Sequence, residues 1–260
     1  MIKESKEEGF IKRVFNHFGF DLEKIGESDT KSPDFITSDD QYKILLELKT
    51  KNESQETLEE RDKILNNSEI YSKNTPLHRN NRISKLFDKA AKQFHAKKKV
   101  VGADFCFLIL HASGPSTSYH LIQFEASAYG SVELITFEPK NEPLKKCYYF
   151  QNSDFYKHKT IIDGAILVGE NSLRFCINDL SPRYKSVRTS SFVKAFTNGV
   201  VDPTTKEAES KAYSVRTSID RNDEHELIEH IKQKYSIDKV MPFNFMHQML
   251  ITRIDASEME

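Results

Sequence analysis

Apolar residues recur with a helical period over residues 5–18, where Phe10, Ile11, Val14, Phe15 and Phe18 form one stripe that Gly19 brings to a stop. Ser5-Lys6-Glu7-Glu8 ahead of it reads as a capping box. Short strands are predicted over 20–25, 34–37 and 43–50. In the last of these Ile44, Leu46 and Leu48 fall on one face, with Leu45, Glu47 and Lys49 on the other. Residues 52–82 are polar, hold one weak helix near 56–66, and read as a surface insertion. The helical period returns over 83–97, with Ile83, Leu86, Phe87, Ala90 and Phe94 on the buried face. The unbroken apolar run 105–110 suits a central strand covered on both faces. Further strands are predicted at 119–124, 132–137, 162–168 and 173–177, and helices at 224–235 and 243–254. The pentapeptide SVRTS occurs at 186–190 and 214–218, too short a repeat for a solenoid.

This order predicts an α/β fold: an αβββαβ core with a mixed central sheet flanked by helices over 1–180, and a C-terminal α+β extension over 181–260. The chain of 260 residues is 38% hydrophobic and 30% charged, and its 18 Phe and 10 Tyr are enough to fill a core. No apolar run approaches the length of a membrane span. The first ten residues carry charges with no hydrophobic stretch behind them, so no signal peptide is expected. Cys106, Cys147 and Cys176 are odd in number and far apart, which points to a reducing, cytoplasmic setting. Net charge is −1, but it is unevenly spread: residues 73–99 hold nine Lys or Arg and one acid, while six acids lie between Glu53 and Glu69. Such blocks are compatible with a polyanion-binding face.

The stretch 31–51 carries the chemistry. Asp34 opens one strand, and Glu47 and Lys49 lie two apart on the next, so both point to one face. Paired as a hairpin, the strands bring Asp34 near Glu47. Two carboxylates at one point repel unless a cation stands between them, and hard oxygen ligands favour magnesium or manganese over zinc. Lys49 beside them can hold or polarise water. By contrast, His225 and His230 are five apart, so on a helix they diverge too far to share one zinc.

Pro33-Asp34, a gap of twelve residues, and Glu47-Leu48-Lys49 resemble the PD-(D/E)xK nuclease superfamily, the restriction-endonuclease-like fold. The likeness spans roughly residues 3–111. It implies Mg²⁺, with Mn²⁺ able to substitute, held by Asp34, Glu47 and the main-chain carbonyl of Leu48, with Lys49 orienting the attacking water. It also implies a 3′-hydroxyl and a 5′-phosphate as products. Family members often add a first-helix glutamate; Glu7 is preferred here because it lies on the apolar face, with Glu8 held in reserve by the capping box. Gln93 matches a second-helix glutamine of some branches, although Lys97 stands where those have tyrosine.

The resemblance makes nucleic acid, DNA foremost, the expected partner. Arg79, Arg82, Lys85, Lys89 and Lys92 would meet phosphates along the second helix, and Arg188 and Arg216 of the SVRTS pair offer a second contact surface. Two readings stand: a metal-dependent nuclease in restriction, phage defence, mobile-element or repair work, or a non-catalytic nucleic-acid-binding or assembly subunit that keeps the fold. A homodimer or a partner subunit fits either.

Overall fold

The computed structural model describes residues 5–26, 32–137, 143–243 and 247–252, the last six by their backbone alone. In chain order it begins with helix α1 (Lys6–His17), capped by Ser5 and Glu8 in the expected capping box. Strands β1 (Glu23–Lys24), β2 (Phe35–Ser38) and β3 (Lys43–Lys51) follow. Helix α2 (Gln55–Asn66) and strand β4 (Tyr71–Pro76) lead to the long helix α3 (Asn81–Val101). Then come β5 (Phe105–Ala112), α4 (Thr117–Tyr129), β6 (Val132–Thr136), β7 (Leu144–Tyr148) and α5 (Asp154–Lys157). The rest of the chain forms β8 (Gly164–Val168), β9 (Leu173–Ile177), α6 (Tyr184–Thr189), α7 (Ser191–Lys194) and β10 (Val200–Val201). It closes with α8 (Pro203–Ala208), β11 (Ala212–Ser214), α9 (Glu224–Tyr235), β12 (Val240–Phe243) and β13 (His247–Thr252).

The fold is mixed α/β. Seven strands form the main sheet in the order β1-β2-β3-β5-β8-β9-β10. β2 runs antiparallel to β3, whereas β3, β5 and β8 are mutually parallel. β5 is buried along its whole length, as its unbroken apolar run requires. One face of the sheet is covered by α1, α6 and α7: Ile11, Phe15, Val187, Phe192 and Phe196 meet Leu46, Phe107 and Phe175 there. On the other face Ile83, Phe87 and Phe94 of α3, with Phe124 and Tyr129 of α4, lie over Leu45, Leu108 and Leu110. A second sheet, β11-β7-β6-β12, packs Leu134, Cys147 and Val240 against Leu227 and Ile231 of α9. A two-stranded ribbon pairs β4 with β13. Among the described residues no helix is long and apolar enough to cross a membrane.

Three expectations are corrected. Residues 119–124 are helical, not a strand: α4 is buried along one uninterrupted run from Gln123 to Tyr129, so no polar stripe betrays its period. It ends at Gly130, whose φ of 59° is left-handed and where a Cβ would meet the Gln151 carbonyl oxygen at 2.3 Å. Of the helix expected over 243–254, Phe243 ends β12 and 247–252 form β13, while 244–246 and 253–254 lie outside the described residues. β13 pairs antiparallel with β4 from His247↔Pro76 to Thr252↔Tyr71, a distant partner that overrides local preference. The polar segment 52–82 accordingly contains β4 as well as α2.

Candidate active site

The β2–β3 pairing sets Phe35 opposite Leu46, so one step further along the same register Asp34 stands opposite Glu47. Alternation on β3 turns Leu45, Glu47, Lys49 and Lys51 toward the α3–α4 side of the sheet. The Leu48 N–H donates to Asp34 Oδ2 at 2.7 Å, which anchors that carboxyl to the strand edge. Lys49 Nζ forms an ion pair with Glu47 Oε1 and a 3.3 Å hydrogen bond to Gln93 Oε1. The Gln93 amide in turn donates to the Ser32 carbonyl at 2.9 Å. Thus α3 supplies a glutamine that spans from the lysine to the segment just before Asp34.

Glu47 has no exposure, and its Oε2 is buried without a hydrogen-bond partner. Burial, followed by the charge of Asp34, pushes its carboxyl up to about 7, although Lys49 pulls the other way. Burial also raises Asp34, against the Leu48 N–H and the Lys49 charge. A pair of crowded carboxyls with one unsatisfied buried oxygen fits a hard divalent cation. Asp34, Glu47 and the Leu48 carbonyl are the groups that would hold it. Among the described residues no three His, Cys, Asp or Glu side chains gather as a metal cluster, so water and substrate oxygens would complete such a shell.

The two first-helix acids part company. Glu8 closes the capping box and binds Lys24 Nζ at 2.8 Å. Burial acts to raise Glu8, but Lys24 and the Ser5 N–H outweigh it and hold the carboxyl below its ordinary value. Its charge also reaches Asp34. Glu7 instead acts on His111, whose ring meets Phe10 of α1 at 5.2 Å on the opposite face of the sheet. Helix phase therefore places Glu8, the reserve candidate, nearer the carboxyl pair.

Arg82, Lys85, Lys89 and Lys92 are exposed at spacings of three and four along α3, one stripe beside Gln93. None of the four forms an ion pair among the described residues. Arg79 is half-buried and donates to Asn81 at 2.7 Å. Arg188 sits on α6, bound to Asp202 at 3.1 Å and to Thr205. Arg216 is enclosed by Asp179, at 2.7 Å, and by Glu207. The two SVRTS copies differ in structure, since the first is helical and the second runs from the end of β11 into a loop. Sequence reasoning passed over Lys51, although it continues the Glu47–Lys49 alternation; Lys73 and His120, which adjoin it, carried no such signal.

A cavity of about 340 Å³ between α4 and the second sheet is lined by Leu77, Ile122, Ala126 and Phe243, away from the carboxyl pair. Glu133 and Lys146, opposite each other on β6 and β7, also line it. The chain matches no family model, no curated protein and no solved structure.

Proposed function

We propose that the protein is a metal-dependent nuclease that hydrolyses phosphodiester bonds, with DNA as the favoured substrate. The observation that carries this reading is the meeting of Asp34 and Glu47 across the β2–β3 pair, with Lys49 against Glu47 and Gln93 against Lys49. Asp34, Glu47 and the Leu48 carbonyl hold a magnesium or manganese ion. When bound, that ion supplies positive charge to the phosphate and eases proton loss from water. Lys49 orients the attacking water and offsets the negative charge that grows on phosphorus. Gln93 fixes the lysine head through its own bond to the Ser32 carbonyl. Attack in line with the leaving oxygen yields a 3′-hydroxyl and a 5′-phosphate. The exposed cations of α3 lie along the same side of the sheet and neutralise flanking phosphates.

The test is cleavage of labelled DNA, with RNA in parallel, in magnesium, manganese or EDTA. Cutting is expected with either metal and not in EDTA. Asp34→Ala and Lys49→Ala should each lower it by at least about a hundredfold, in keeping with the loss of a charge acting on the reacting phosphate, with the far-ultraviolet circular dichroism unchanged. Equal activity in both variants would remove the assignment. Tight binding without cutting under every condition would favour the non-catalytic, nucleic-acid-binding reading.

A further inference from the structure

We propose that Lys51, Lys73 and Arg82 form an anion subsite that binds a DNA phosphate next to the one being cut. The inference rests on the nuclease reading of Asp34, Glu47 and Lys49.

Lys51 lies two residues beyond Lys49 on β3 and points to the same face. The two ammonium stems are about 7 Å apart along the strand, on the scale of one nucleotide step. Lys51 is half-buried, yet no carboxylate pairs with it among the described residues. Its one hydrogen bond goes to the neutral Gln123 Oε1 of α4, at 3.3 Å. The Gln123 amide is spent on the Pro76 carbonyl, at 2.7 Å, at the end of the strand that carries Lys73. The Asn80 N–H donates to Ser127 Oγ of α4 at 3.0 Å, which holds the start of α3, and with it Arg82, in the same neighbourhood.

The charges here do not balance. Against the three cations stands one buried carboxylate, Glu53: Lys73 touches its Oε1 at a loose 3.5 Å, that oxygen already accepts from Ser116 Oγ at 2.6 Å, and its Oε2 has no hydrogen-bond partner. Arg82 forms no ion pair among the described residues. Burial, then Arg82, then Lys73 lower the Lys51 ammonium. The neighbouring His120 has both ring nitrogens buried without partners, and it is pushed down to about 4 by burial, then by Lys51. A fold gains nothing by crowding three cations around one strand end. A bound phosphate would relieve all three and would accept their hydrogen bonds.

The experiment is fluorescence anisotropy of a labelled DNA oligonucleotide in EDTA, where no cutting occurs, over a range of KCl concentrations. Wild type is compared with Lys51→Met and Lys51→Arg, and each is melted without DNA. Lys51→Met should bind about tenfold more weakly, as expected for one lost charge-assisted hydrogen bond. Its plot of log K against log salt should be flatter by about one unit. It should melt at or above wild type, because an unpaired buried charge is gone. Lys51→Arg should restore binding. Wild-type affinity in Lys51→Met overturns the subsite. So does a loss of affinity accompanied by a lower melting temperature that Lys51→Arg also shows, or a wild type that does not bind DNA. Wild type that cuts DNA while Lys51→Met binds normally would leave the nuclease reading standing and the subsite refuted. Binding that depends on Lys51 in a protein that never cuts would do the reverse.

Discussion

At Glu47 the fold and the proposed chemistry pull in opposite directions. Its carboxyl is fully buried, faces Asp34, and is held at about 7. An unfolded glutamate releases its proton at about 4.5, so the folded chain binds that proton more tightly. The stabilisation is fully present below the unfolded value and is lost as pH rises through about 7; the gap corresponds to on the order of 3 kcal/mol. In EDTA the melting temperature should therefore fall between pH 5 and pH 8. Glu47→Gln should remove most of that fall, melt above wild type at pH 8, and cut nothing. A wild-type profile that is flat over this range would mean that the carboxyl pair is not crowded as described. Much of this centre was legible in the sequence, because alternation on one strand fixes where Glu47 and Lys49 point. The role of the first helix was less so. Glu7 and Glu8 differ by 100° of helix phase, and the apolar stripe alone did not tell which edge of α1 approaches Asp34.

At the scale of elements, α3 is both a wall of the core and a row of charge. Ile83, Phe87, Ala90 and Phe94 are buried, while Arg82, Lys85, Lys89 and Lys92 stand outward and unpaired among the described residues. Replacing Lys85, Lys89 and Lys92 with glutamine should flatten the salt dependence of DNA binding by roughly one unit for each residue that meets a phosphate. Changing Lys98 should do less, since its ammonium already donates to the Asp104 carbonyl at 2.7 Å and faces Asp163. If the slope is unmoved by the three changes, this stripe is merely solvated. Amphipathic elements such as α1, α3 and α9 were readable because one side of each is wet. α4 was not, because a helix buried on nearly every side loses its period; the left-handed Gly130 at its end was the remaining signal. SVRTS makes the same point from the other side, as the first copy is helical through Thr189 whereas the second is non-helical from the end of β11 onward.

Across the whole molecule, neutrality conceals a division of labour. The net charge of −1 is the balance of 38 Lys and Arg against 39 Asp and Glu, yet Arg82, Lys85, Lys89 and Lys92 on the α3 side of the main sheet form no ion pair among the described residues. The strand that brings Lys73 to that side, β4, has a single partner, β13, in its ribbon. Deleting residues from 247 onward should leave the near-ultraviolet signal of the main sheet in place while weakening DNA binding by about as much as Lys73→Gln does. Equal affinity in the truncated chain would show that β4 holds its place alone. β4 and β13 could not be foreseen as partners, since β4 is polar and nothing local marks residues 247–252 as its complement. Their separation also sets an order of events during synthesis. A ribosome that has finished β4 must still make everything between Pro76 and His247, on the order of 10 s of elongation. Throughout that interval the carboxyl pair and β3 have been translated, whereas β13 has not. On the nuclease reading proposed above, the carboxyl pair would therefore be on the chain well before β13 arrives to complete the ribbon that carries Lys73.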